Sequence, residues 1–140
     1  MFSATFCIFV AVEIKIVSGG QTGVDRAALD AAMAVGLSYG GIVPKGRLSE
    51  DGVIPDRYTG LMEADHPEYS YRTEQNVLQA DATLILGYLP MSGGTHITNE
   101  FCHRHQKIHI FINLDRPYPE NVQKIVDWIC EIRPHTLNIA

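Results

Sequence analysis

Apolar positions along the chain follow two alternating spacings. Short β-rich runs stop at Gly-rich turns, and stretches with apolar residues three and four apart follow. Residues 13–17 form the first such run, ending at Ser18-Gly19-Gly20. From Val24, residues Ala27, Ala28, Ala31, Ala32 and Val35 recur at helical spacing. Thr22, with Asp25 three residues on, resembles a capping box for that helix, and Gly36 is its expected stop. Residues 37–43 hold a second predicted strand, at their Gly41-Ile42-Val43 end. Residues 44–60 are rich in Gly and Pro and predict a long loop, a feature that in compact domains is either functional or disordered.

Beyond the loop, residues 61–64 predict a short strand and residues 73–80 a short helix. Residues 82–86 are almost continuously apolar, as in a strand buried on both faces. Gly93-Gly94-Thr95 opens a helix running to about His105, and residues 108–112 are a further strand. Val122, Ile125, Val126, Ile129 and Cys130 mark an amphipathic helix, and Thr136–Ile139 a last strand. Alternating strands and helices with short turns imply a parallel sheet covered on both faces. The expected fold class is α/β, a Rossmann-like three-layer α/β/α sandwich with a mostly parallel sheet. Residues 13–140 form its ligand-binding domain, and residues 1–12 are an N-terminal extension leading into the first strand. Ligands in such sheets bind beyond the carboxyl ends of the strands. The turns after residues 13–17 and 82–86 should therefore meet at a site.

Composition narrows the function. The chain has 140 residues, about one domain. At 46% hydrophobic and 19% charged it is not a disordered chain. Sixteen acidic against eleven basic residues give a net charge of -5, the wrong balance for a general nucleic-acid binder. No apolar run approaches the ~18 residues of a membrane helix. Residues 2–12 are apolar but lack the preceding Lys or Arg and the cleavage site of a signal peptide. Cys7, Cys102 and Cys130 are an odd number without a CxxC, which predicts no disulfide framework and fits a reducing, cytoplasmic setting.

The candidate chemistry lies in the turns. Gly19, Gly20, Gln21, Thr22, Gly23, Asp25 and Arg26 follow a strand and open a helix. Glycines let backbone approach a ligand, and free N–H groups at a helix start favour an anion. The segment matches neither G-x-G-x-x-G nor the P-loop, so a plain capped turn remains an alternative. Ser92, Gly93, Gly94 and Thr95 repeat the arrangement at the second turn, with helix capping by Thr95 again the alternative. Lys45, Gly46 and Arg47 follow a strand end, and Arg72 and Thr73 open the next predicted helix. Arg forks and Lys suit phosphate or other oxyanions, while solvated pairing with Glu50, Asp51 or Asp56 is the other role open to them. Asp25 either caps, positions Arg26 or meets a ligand hydroxyl. Cys102, His103 and His105 do not complete a tetrahedral metal site, and no G-x-S-x-G nucleophile elbow is present. The sequence thus nominates neither a metal site nor a catalytic residue.

These strings, from Lys15 to Asp30 and then Pro44-Lys45-Gly46-Arg47, Glu50-Asp51-Gly52, Ile54-Pro55, Tyr58, Arg72-Thr73-Glu74, Asn76 and Ser92-Gly93-Gly94-Thr95, closely resemble the molybdenum (cofactor) carrier proteins. That family lies in a Rossmann-like superfamily with lysine-decarboxylase-like proteins, cytokinin-activating phosphoribohydrolases and nucleotide-sensing domains. The resemblance covers about residues 13–140. It implies a compact subunit, expected as a homo-oligomer, holding a small anionic ligand, either molybdenum cofactor (molybdopterin) or a nucleotide-derived molecule. The phosphoribohydrolases of the superfamily carry a catalytic Glu in a Gly-Gly-x-Gly-Thr-x-x-Glu motif. Alignment on Gly94-Thr95 places Thr98 there, and Glu100 lies about 200° further around the helix. A hydroxyl is a poor acid or base near neutral pH, so the resemblance favours a carrier or sensor over an enzyme. Relatives also continue past the position of Ala140 with a further helix, so the family's C-terminal helix is expected to be lacking.

Overall fold

The computed structural model describes residues 13–140. The expectation for residues 1–12 lies outside them. The elements in chain order are β1 Lys15–Val17, α1 Val24–Val35, β2 Tyr39–Val43, β3 Leu48–Ser49, β4 Gly52–Val53, β5 Leu61–Glu63, α2 Tyr69–Gln79, β6 Ala82–Gly87, α3 Gly93–Arg104, β7 Ile108–Asn113, α4 Tyr118–Ile132 and β8 Thr136–Ile139. Six strands form one sheet in the order β5-β2-β1-β8-β6-β7, every neighbouring pair parallel. Strand β8 sits in the middle, pairing Leu137 with Ile16 of β1 on one side and with Ala82 of β6 on the other.

Both faces are covered, which completes the three layers. Ala28 and Ala32 of α1 and Ile125, Trp128, Ile129 and Ile132 of α4 pack on one face over Ile16, Leu84, Ile112 and Leu137. Val77 of α2 and Phe101 and Cys102 of α3 pack on the other, over Ile85. Strand β6 is buried along nearly its whole length, matching its apolar run. Cys102 is a free thiol in this core. Cys130 is disulfide-bonded, which corrects the expectation drawn from the odd cysteine count.

The loop of residues 44–60 is ordered. Its Ile54 and Tyr58 are fully buried with Leu29 and Val43, at about 1.5–3 kcal/mol per large side chain removed from water. Within it, β3 and β4 form a two-residue antiparallel hairpin. Helix α2 begins at Tyr69, ahead of the expected Thr73. Its first turn, Tyr69 and Ser70, is exposed and so carries no apolar period. Helix α1 is not capped by Thr22. Its N-cap is Gly23 at φ 84°, without a side-chain bond, and the Thr22 hydroxyl donates instead to Glu50 Oε2 at 3.2 Å. Gly36 ends α1 in the left-handed conformation, as expected.

Candidate functional site

The parallel order sends β1, β6 and β8 out at the same end of the sheet. There the turn after β1 and the turn after β6 face a cavity of about 360 Å³. Gln21, Thr22 and Asp25 line it from the first turn and α1. Gly93, Gly94 and Thr95 line it from the start of α3, and Arg72 and Thr73 from α2. The meeting of the two turns anticipated from the sequence is therefore observed. Sequence reasoning did not nominate Val24, Glu50, Tyr69, Ser70, Leu86, Ile97, Thr98 and Ala140, which complete the wall. Their only signal was position, next to a turn or at a strand end.

None of the three helices whose first turns line the cavity is capped by a side chain. Ser92 is the N-cap of α3, and the N–H groups at the start of each helix lack intrahelical acceptors. A Cβ on Gly94 would meet nothing within 4 Å, so backbone is bare at that point. Thr95 is not used as a cap. Thr98 also faces the cavity, and its hydroxyl donates to the Gly94 carbonyl at 2.8 Å. Glu100 pairs instead with His96 on the exposed side of α3.

At the centre stand Asp25 and Arg72. Arg72 Nη1 donates to Asp25 Oδ2 at 3.3 Å, and both side chains are largely buried, at 12% and 10% exposure. Asp25 Oδ2 also accepts the Gln21 N–H at 3.2 Å. Burial pushes the Asp25 carboxyl above its usual range, against the pull of Arg72 and of the Gln21 and Gly19 N–H groups. The guanidinium lies over Gly19, so close that a Cβ there would stand 1.8 Å from Arg72 Nη1. Gly19 is glycine to seat this arginine. Arg72 Nε is buried and has no partner among the described residues.

The remaining candidates serve the scaffold. Arg26 spends its guanidinium on a fork, with Nη1 and Nη2 each 2.8 Å from Asp51 and Nη2 2.8 Å from Ser49 Oγ, while Nε donates to the Gly20 carbonyl at 3.1 Å. The fork ties the β3–β4 hairpin to the first turn and holds the Asp51 carboxyl well below the usual carboxylate range. Gly20 itself has φ 70°. Arg47 donates from Nη2 to the carbonyls of Ile54, Pro55 and Tyr58 at 3.4, 3.0 and 3.1 Å. It ties the loop together and is absent from the cavity wall. Lys45 is exposed, and the Gly46 N–H donates to Glu63 Oε1 at 2.7 Å; neither lines the cavity. Cys102, His103 and His105 turn to different partners. Cys102 is in the core, His103 packs edge-on against His109, and His105 bonds Glu74 at 2.7 Å.

A parallel α/β sheet with a cavity at its carboxyl edge, walled by two turns and an arginine, defines a domain of the Rossmann-like class. Residues 16–140 match the circularly permutated YpsA SLOG family, and the chain belongs to that family. The sheet agrees with the description. Counted from β8 instead of β1, the strands run outward in sequence on each side of a central first strand. The chain is also similar to the crystal structure named "Putative molybdenum carrier protein" from Syntrophus aciditrophicus SB. The two are 45% identical with a TM-score of 0.84, over 90% of this chain and 80% of that one. No curated protein matches. No helix of the described residues is long and apolar enough to cross a membrane.

Proposed function

We propose that this chain is a molybdenum carrier that holds molybdenum cofactor, through an oxyanionic group, in the cavity between the two glycine turns. The observation that carries the reading is Arg72, seated over Gly19 on the cavity wall with its Nε unpartnered. A buried N–H left without an acceptor is costly, and an oxyanion of the ligand would satisfy it. The open starts of α1 and α3 add N–H groups that favour negative charge. Molybdenum cofactor brings both a phosphate and an oxyanionic metal centre. The name borne by the 45% identical neighbour supports the choice.

A nucleotide-derived ligand is the second reading. Asp25 and Glu50 on the same wall are acceptors that suit the hydroxyls of a ribose. A phosphoribohydrolase role is disfavoured by Thr98, whose hydroxyl is committed to the Gly94 carbonyl where that chemistry needs a carboxylate.

The test is gentle purification without oxygen, denaturation, mass spectrometry of the released small molecules and elemental analysis for molybdenum. Near-stoichiometric molybdenum with a pterin is the expected result. A nucleotide without molybdenum would replace the carrier reading with the second one.

A further inference from the structure

The two arginine–carboxylate pairs beside the first turn are built differently. Arg26 and Asp51 form a complete fork at 2.8 Å, and Ser49 Oγ and the Gly20 carbonyl take two further donors. Arg72 and Asp25 touch through one contact at 3.3 Å, beyond the ~2.7–2.9 Å of a well-formed charge-assisted bond. The Arg72 pair borders the cavity and has a donor to spare. It has the form of a pair that can exchange partners.

An oxyanion that takes the Arg72 donors brings a second negative charge against Asp25. The charged groups around Asp25 cannot absorb it. From its own helix comes Arg26, already matched by Asp51. From the hairpin comes Glu50, which adds repulsion, and from α2 comes Arg72 alone. Like charges held this close in a partly buried site do not both stay ionised. Resting on the reading that the cavity holds an oxyanionic ligand, we propose that it takes up that ligand together with one proton, which comes from solvent and lands on Asp25. Charge then balances: the anion replaces Asp25 as the counter-ion of Arg72, and Asp25 becomes a neutral carboxylic acid able to donate to the ligand. Asp25 thereby selects for oxyanions against neutral ligands of the same shape.

The test uses calorimetric titration of molybdate into the full chain at pH 7, in two buffers of different ionisation heat. The expected result is uptake of about one proton per molybdate, with affinity rising as pH falls by up to about tenfold per unit. Asp25→Asn keeps an acceptor for the Gln21 N–H and should bind molybdate with no proton uptake and a flat pH profile. Gly19→Ala places a methyl where the guanidinium lies, at a backbone conformation outside the left-handed region, and should weaken binding more than tenfold with an unchanged circular dichroism spectrum. Molybdate binding without proton uptake in the unmodified chain, or equal uptake in Asp25→Asn, overturns the exchange and leaves the anion site standing. No binding of molybdate or inorganic phosphate by the unmodified chain overturns the anion site and the exchange together.

Discussion

Asn76 satisfies both backbone groups of Ile42. Its Nδ2 donates to the Ile42 carbonyl at 2.8 Å, and its Oδ1 accepts the Ile42 N–H at 2.8 Å. One buried side chain on α2 thus fixes that helix to β2, and with it the height of Arg72 above the first turn. Asn76→Ala would orphan both groups. The expected loss is about 2–4 kcal/mol, read as a lower urea midpoint with an unchanged slope. A loss below about 1 kcal/mol would mean that water replaces the amide there.

Gly41 and Gly23 both have positive φ, at 134° and 84°, yet should respond differently to alanine. A Cβ on Gly41 would stand 1.9 Å from the Ser18 carbonyl oxygen, whereas one on Gly23 meets nothing within 4 Å. Gly23→Ala should cost about 1–2 kcal/mol from backbone strain alone. Gly41→Ala adds a clash with backbone that cannot move without separating β1 from β2, and should cost more than about 4 kcal/mol. Thermal melts of the two variants check the contrast. Equal losses would place the strain in φ only.

Strong acid should loosen the hairpin clamp. The Asp51 carboxyl is held low by its bonds from Arg26 and Ser49. A depressed folded value contributes stability above the unfolded value, near 3.9, and loses it as pH falls further. Urea midpoints should therefore fall as pH drops from about 5 to about 2, and fall less in Asp51→Asn. An identical acid dependence in the variant would assign the loss to other carboxylates.

Arginine variants should separate scaffold from site. Arg47→Ala strips three loop carbonyls of their donor and should cost about 1–2 kcal/mol of stability, with molybdate affinity within about twofold. Arg72→Ala and Gly94→Val should each weaken molybdate at least about tenfold, worth about 1.4 kcal/mol. Gly94→Val acts by filling open space beside the α3 N–H groups. A large affinity loss in Arg47→Ala would return that residue to the site.

Most of the fold was legible because its strands are short apolar runs between glycines. Ala82–Gly87 and Thr136–Ile139 fall where the pattern put them. The hairpin was hidden because two-residue strands have no period to detect. The start of α2 was hidden because Tyr69 and Ser70 face solvent and the cavity rather than the core. The site was half legible. Glycines and arginines near turns could be picked out, but an arginine's partner is set by tertiary distance. Arg26 and Arg47 look as suited to an anion in sequence as Arg72 does. Only the fold shows that the first two turn to scaffold carbonyls and carboxylates while the third stands on the cavity wall. Thr22 and Asp25 fit a capping box by spacing, but Arg72 draws the carboxylate away and Glu50 takes the hydroxyl.

The central place of β8 has a consequence for how the chain comes together. Pairing Lys15 with Thr136 closes a loop over almost the entire described sequence. Until β8 emerges during synthesis, β5-β2-β1 and β6-β7 are two separate ribbons, each with an open hydrogen-bonding edge. Non-local closure of this kind is slow, and the waiting edges are where misassembly starts. The strand made last among these elements is therefore the keystone. A nascent chain halted before Thr136 should be held by chaperones, and release of β8 should convert two aggregation-prone halves into one sheet in a single step.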